Sequence, residues 1–351
     1  MGTSGGIERV VSTLADRLGL LYEIEIAVKD NPVSFYKLKD NVRLVSLGTY
    51  QRSDNISQIN IILSFFKSIM FNISKLKAYL KSSDASYYYV IHPRTVLKYF
   101  LAGGDLSRLI VSEHFSQNDY NIVYRLIRKM FYGRCRAYVV PTVTDANRYA
   151  NKGLPVYYLP HFRSNLPYRN VSSKSKVVLN IGRFAAEKQQ LFLLKIWHKM
   201  ILKDEFPKGW RLHIIGSGEL EVNLKSYVKN NNLESSVSIL PPSLVIEDEY
   251  SKASVFALTS RSEGFGMVLL EAISFGIPCV CYDCPSGPRD IIKDSVTGYL
   301  IELNNEISFE KSLMNLISDD KLRSRMGDCA YSSSLKWSDD GTLSKWITIL
   351  N

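Results

Sequence analysis

The chain has 351 residues, 46% hydrophobic and 22% charged, enough for two packed domains and without the long polar tracts that stay disordered. Its net charge of +10 is one-sided: residues 1–170 carry 23 Lys and Arg against 12 Asp and Glu, and residues 171–351 carry 21 against 22. A basic half points to an anionic partner, lipid headgroups or a phosphorylated substrate; nucleic acid is set aside because no module that binds it is present. Cys135, Cys279, Cys281, Cys284 and Cys329 follow no scaffold spacing and suit a reducing cytosol, and the Gly/Ser/Glu/Arg start does not read as a secretory signal.

The opening, MGTSGGIERV, runs a Gly5-Gly6 pair into an amphipathic helix with Ile7, Val10, Val11, Leu14 and Leu18 on one face, closed by Gly19. YEIEIAV and VRLVSLG alternate as strands. A long helix over 57–81 sets Lys67, Lys75, Lys77 and Lys81 beside a wide apolar face. Lys67 and Lys75 hold its uncharged runs below the roughly 18–20 residues of a membrane span. YYYVIH (87–92) and RLIVSEH (108–114) are apolar strands ending in histidine, and NIVYRLIRKMFYGRCR is a basic helix feeding the buried strand AYVVPT. The pattern lapses into Pro, Ser and Asn near 160–175, the expected linker. A second alternation follows, from KVVLNIG through WRLHIIG, VSIL, SVFALTS and PCVCYD to terminal helices. The expected fold is α/β: two Rossmann-like domains, 1–165 and 166–351, with the terminal helix crossing back and ligands in a cleft at the C-terminal edges of the sheets.

The densest chemistry lies in SRSEGFGMVLLEAISFGIPCVCYDCPSGPRDII. Glu263 and Glu271 bracket Gly264, Phe265 and Gly266 at a helix start, where glycines let backbone approach a ligand and free N–H groups favour an anion. Eight helical residues advance about 12 Å, which suits two carboxylates reading different sugar hydroxyls. A helix with one glutamate in its first turn and a second exposed to water explains the pattern as well. In LNIGRFAAEKQQ, Arg183 and Lys188 sit in a strand-to-helix turn, where two cations neutralise a departing diphosphate or are simply solvated. GSGE at 216–219 is a further glycine turn, weak by itself. CVCYDC does not make a metal site: Cys279 and Cys281 share one strand face, and no second pair completes a tetrahedron.

In order and spacing, GGIERV, GRFAAEK, IIGSGEL, the E-x7-E segment SEGFGMVLLE and SGPRDII resemble the GT-B fold retaining glycosyltransferases of family four, above all bacterial enzymes of O-antigen, capsule and exopolysaccharide assembly. The resemblance implies Arg183 and Lys188 at the donor diphosphate and Glu263 at the donor sugar. It further places Phe265 and Gly266 N–H groups near sugar and phosphates, Glu271 at the ribose, and Gly5 and Gly6 in the loop facing the phosphates. His114 resembles the histidine near donor sugar and acceptor, and a buried structural histidine explains it equally. No metal or cofactor is implied; the donor, a UDP-sugar, is a substrate, and the acceptor is a saccharide on a polyprenyl diphosphate.

That acceptor gives the basic half a reading as a surface for the anionic inner leaflet, with Lys67, Lys75, Lys77, Lys81, Arg125, Arg128, Lys129, Arg134 and Arg136 at headgroups and Phe65, Phe66 and Phe71 in the interface. Inward-packed aromatics and solvated lysines are the alternative. The rivals are a GT-B epimerase or phosphorylase, a nicotinamide dehydrogenase, which lacks its G-x-G-x-x-G fingerprint, and a catalytically silent subunit of a partner transferase. In the resembling family a buried strand runs into the Gly5-Gly6 loop. Its absence here leads us to expect a start upstream of Met1 or a truncated form.

Overall fold

The computed structural model describes residues 5–29, 32–48, 58–114, 122–164, 166–168, 175–337 and 339–351, with side chains of 58–68 not described. The chain divides into two compact units, Met1–Pro160 with Leu343–Asn351, and His161–Thr342.

The first unit runs α1 (Gly6–Leu18), β1 (Ile24–Val28), β2 (Val42–Ser46), α2 (Gln58–Ser82), β3 (Tyr88–Val90), α3 (Pro93–Leu101), β4 (Leu109–Ser112), α4 (Ile122–Phe131), β5 (Ala137–Val140), α5 (Val143–Ala150) and β6 (Val156–Tyr158). All its strand pairs are parallel, as strand–helix alternation requires. They form two separate sheets, β1-β2 and β3-β4-β5-β6, and among the described residues no strand precedes α1. Helices start where the side chains dictate: His92 Nδ1 accepts from Arg94 N–H ahead of Pro93 at the first position of α3, and Thr142 Oγ1 accepts from Asp145 N–H at α5. The core gathers Val96, Leu109, Val111, Ile127, Phe131 and Tyr138 between α3, α4 and the four-stranded sheet. No described helix is long and apolar enough to cross a membrane.

The second unit runs β7 (Val177–Ile181), α6 (Gln190–Ile201), β8 (Arg211–Ile215), α7 (Glu221–Asn230), β9 (Val237–Leu240), α8 (Ile246–Lys252), β10 (Val255–Leu258), α9 (Met267–Ser274), β11 (Cys279–Tyr282), α10 (Pro288–Ile291), β12 (Gly298–Ile301), α11 (Glu306–Ser318) and α12 (Asp320–Ser334). A last helix, α13 (Asp339–Leu350), spans the division at Thr342 and Leu343. Its end packs in the first unit, where Trp346 meets Tyr89 and Lys345 lies over Tyr158. One parallel sheet of order β12-β11-β10-β7-β8-β9 carries the second unit. In sequence terms that is the doubly wound order 3-2-1-4-5-6, whose ligand position lies where β7 and β10 diverge, beyond their C-terminal ends. Trp197, Leu212, Ile214, Ala257 and Val280 sit in its core, wholly buried.

The short edge strands β6 and β12 escape the hydrophobic pattern. Three and four residues show too little alternation, and Val156–Tyr158 runs straight into Pro160 in what reads as linker.

Candidate active site

The site is built from the turns that leave β7 and β10. After β7 the chain passes Gly182 and Arg183 into a 3-10 turn over Ala186–Lys188, and Gln189 takes a left-handed conformation (φ 52°) before α6 begins. Phe184 N–H donates to Ser217 O at 2.8 Å, which docks the glycine turn 216–219 against this one. A Cβ on Gly216 would lie 2.0 Å from Gly182 O, and one on Gly218 (φ +154°) 2.5 Å from Phe184 O. The GSG turn therefore supports the Arg183 turn by close backbone packing.

After β10, Thr259 Oγ1 donates to the carbonyls of Lys188 (3.0 Å) and Gln189 (3.1 Å), and Arg261 N–H donates to Glu187 O. From the other side, Ser286 Oγ donates to Glu263 O, and Gly287 lies so close that a Cβ there would be 2.3 Å from Phe265 O. The glutamate loop is thus held between the β7 turn and the Ser-Gly-Pro loop. Gly266 closes it at φ +93°, a conformation that favours glycine, and α9 starts at the next residue.

Within this frame Lys188 Nζ lies 2.7 Å from Glu263 Oε1, with the side chains 21% and 9% exposed. Arg183 is bonded to Glu187 at 2.5 Å and its side chain is 71% exposed. Burial works to raise the Glu187 carboxyl, but the Arg183 hydrogen bond, a backbone hydrogen bond and the Arg183 and Lys188 charges together outweigh it and hold the group below the usual range. Glu271 is buried, accepting from Tyr250 OH at 2.7 Å and from Ser164 Oγ. Phe265 sits edge-on to His161 and Trp337. Three buried polar atoms near this strand edge, Asn180 Oδ1, Gln190 Oε1 and Ser260 Oγ, have no hydrogen-bond partner among the described residues.

Two sequence expectations change here. Glu263 lies in the loop and only Met267–Glu271 of the span is helical, so the 12 Å helical spacing does not apply. The reading of Glu271 as a solvated helix residue fails, because it is 2% exposed. Sequence reasoning also missed Glu187, Tyr250, Ser164 and Thr259; each works through a partner distant in sequence or by a hydroxyl that carries no pattern. Cys279, Cys281 and Cys284 are buried thiols, and burial raises Cys284 to about 12. Among the described residues no three His, Cys, Asp or Glu side chains cluster as a metal site.

The remaining predicted residues lie in the first unit. Gly5 caps α1 at φ −71°, and Gly6 has open space where a Cβ would stand, so neither backbone angle nor packing demands this pair beyond the flexible Glu8 carboxylate that meets Gly5. His114 follows β4, with Nε2 3.1 Å from Tyr89 OH, and burial pushes its pKa down to about 4. It is therefore neutral at pH 7. Beside it, Glu113 is buried and holds Arg128 by two oxygens, with Nη2–Oε2 at 2.8 Å, and it accepts from Tyr138 and Tyr149. Burial opposes the Arg128 charge, and Glu113 together with the Tyr138 and Tyr149 hydroxyls more than offsets this, so Arg128 is an internal structural cation unavailable to lipid headgroups. Phe65, Phe66 and Lys67 lie outside the described side chains.

Residues 164–333 match the family model of glycosyl transferases group 1. The chain is 29% identical to the amylovoran biosynthesis glycosyltransferase AmsD of Erwinia amylovora, covering 100% of this chain and 97% of that protein. It is 28% identical to a Campylobacter jejuni alpha-1,4-N-acetyl-D-galactosaminyltransferase named for its diNAcBac-PP-undecaprenol-linked saccharide, over 99% of this chain and 95% of that one. Among solved structures, the lipopolysaccharide outer core galactosyltransferase WaaB superposes over 100% of this chain and 96% of its own at TM-score 0.68 and 21% identity. The chain spans 59% of a longer structure, S. aureus TarM, at TM-score 0.68 and 21% identity. The protein is a glycosyltransferase of the GT-B fold, and family four is consistent with its motifs.

Proposed function

We propose that the protein transfers a hexose or N-acetylhexosamine from a UDP-sugar to a polyprenyl-diphosphate-linked saccharide in bacterial surface polysaccharide synthesis, with retention and without a metal or cofactor. The Lys188–Glu263 pair at the diverging ends of β7 and β10, with Arg183 in the same turn, carries this reading. The undecaprenol diphosphate saccharide in the Campylobacter relatives' names supports the acceptor class, and the amylovoran relative's name supports polysaccharide synthesis.

In this mechanism Arg183 and Lys188 bind the donor diphosphate, with phosphate oxygens displacing Glu187 and Glu263 as their partners. Glu263, released, orients the sugar, and the Phe265 and Gly266 N–H groups add donors where negative charge grows. The donor's anomeric C–O bond breaks towards the phosphate, the acceptor oxygen bonds to the same face of that carbon, and the departing phosphate oxygen takes the acceptor's proton. No side chain forms a covalent intermediate. Glu271 turns from Ser164 to the ribose hydroxyls, with Tyr250 keeping it oriented.

The test is incubation of the full chain with a panel of UDP-sugars and a lipid diphosphate saccharide, with and without EDTA. Transfer with retained anomeric configuration, unchanged by EDTA, is expected; inversion or loss of activity on chelation contradicts the mechanism.

A further inference from the structure

We propose that the outer face of α4 seats the protein on an anionic bilayer. This inference rests on the reading that the acceptor is lipid-linked, and it assigns the contact within the basic half to the outer face of α4.

α4 has two faces that its sequence separates cleanly. At 100° per residue Tyr124, Ile127, Arg128 and Phe131 form one side, and all four are buried against the first unit's core. The opposite side carries Ile122, Leu126, Met130 and Val123 within a continuous sector of about 100°. These four are 72%, 53%, 62% and 53% exposed. Single exposed apolar residues are ordinary, but four large ones in one stripe along ten residues are the mark of a surface that meets something apolar.

What it meets is set by charge. Arg125 and Lys129 flank the stripe on one edge, both exposed, and α4 holds no acidic residue. Arg134 follows just after the helix, exposed, and Arg94 lies beside it, with its guanidinium over the Tyr124 ring at 5.3 Å. An apolar stripe bordered by cations is the pattern of a helix lying in the plane of a membrane interface, its aliphatic side chains below the headgroups and its cations among the phosphates. Arg128, the one cation of α4 that points inward, is consumed by Glu113; that buried pair fixes the helix to β4 and so fixes which face looks out. By contrast, the described part of α2 shows a mixed surface in which Lys75 covers the Phe71 ring at 5.5 Å.

Vesicle flotation with the full chain tests this. Wild type is expected to float with phosphatidylcholine vesicles containing phosphatidylglycerol, weakly with phosphatidylcholine alone, and less as salt rises. Leu126→Glu with Met130→Glu should weaken binding at least tenfold at any salt, and Arg125→Glu with Lys129→Glu should do so chiefly at low salt. Both variants should keep wild-type circular dichroism and wild-type transfer to a water-soluble, short-chain diphosphate acceptor. Unchanged flotation of both variants overturns the proposal. So does a wild-type dimer in analytical ultracentrifugation that the Leu126/Met130 variant dissociates, since a second copy then covers the stripe. Flotation by a wild type that fails to glycosylate the soluble acceptor contradicts the proposed function and leaves the docking face standing.

Discussion

The two units solve the same packing problem with different success. In the second, β7 and β10 have hydrogen-bonded neighbours on both sides and are almost wholly buried, so the turns beyond them are fixed by backbone contacts on three sides. In the first, the sheet is split: β1 and β3 each pair on one side only, and their residues are partly exposed. The comparison teaches that a continuous sheet gives a rigid platform for charge chemistry, whereas the first unit is organised by one buried ion-pair network around Glu113 and by helix packing.

The largest expected effect lies in the second unit. Lys188→Ala should lower turnover by about 10²–10³-fold, the cost of removing one group that stabilises transition-state charge. It should also lower thermal stability, because it leaves Glu263 largely buried without its cation. Arg183→Ala should reduce turnover comparably with no change in melting, since its partner Glu187 sits in an exposed i,i+4 pair. Equal melting for both variants would erase the distinction between these two cations.

Next in size is the first unit's network. Glu113→Ala should destabilise by about 3–5 kcal/mol, read by urea unfolding, because the buried Arg128 then loses its carboxylate. Adding Arg128→Met should recover part of that loss; a double variant no better than the single would mean the network acts otherwise.

Hydrogen exchange compares the sheets directly. Amides of β7, β8 and β10 should exchange more slowly than those of β1 and β2, which open without breaking a continuous ladder. Equal protection would show that the split carries no energetic consequence.

The last effect, confined to acidic pH, is the pH dependence from His114. Its folded pKa is depressed to about 4, while the unfolded chain takes up the proton near about 6.5. Stability is therefore fully present above about 6.5 and declines as pH falls towards about 4, with no further loss from this group below that. His114→Gln should remove that slope, measured as melting temperature against pH.

Much of the second unit was legible in the sequence, because strand–turn–helix boundaries there carry glycines and buried strands that leave a hydrophobic signature. GRFAAEK and SEGFG mark their turns by themselves. The pairing of Lys188 with Glu263, 75 residues apart, is made by sheet order and leaves no local trace. Arg128 shows the opposite failure: read from the sequence it joins the cations set at lipid headgroups, until Glu113, just beyond β4, is seen to claim it. The apolar stripe of α4 was written in the sequence too, but Ile122, Leu126 and Met130 look like core residues until Tyr124, Ile127 and Phe131 are found filling the core instead.

The central claim is that the cations at the end of β7 act on a nucleotide sugar. Side-by-side kinetics of wild type, Lys188→Ala and Arg183→Ala, with one UDP-sugar and one lipid diphosphate saccharide, test it most directly. The account predicts transfer by the wild type and a fall of at least about 10²-fold in kcat/KM for each variant, with folding retained. Wild-type kinetics in both variants would contradict it.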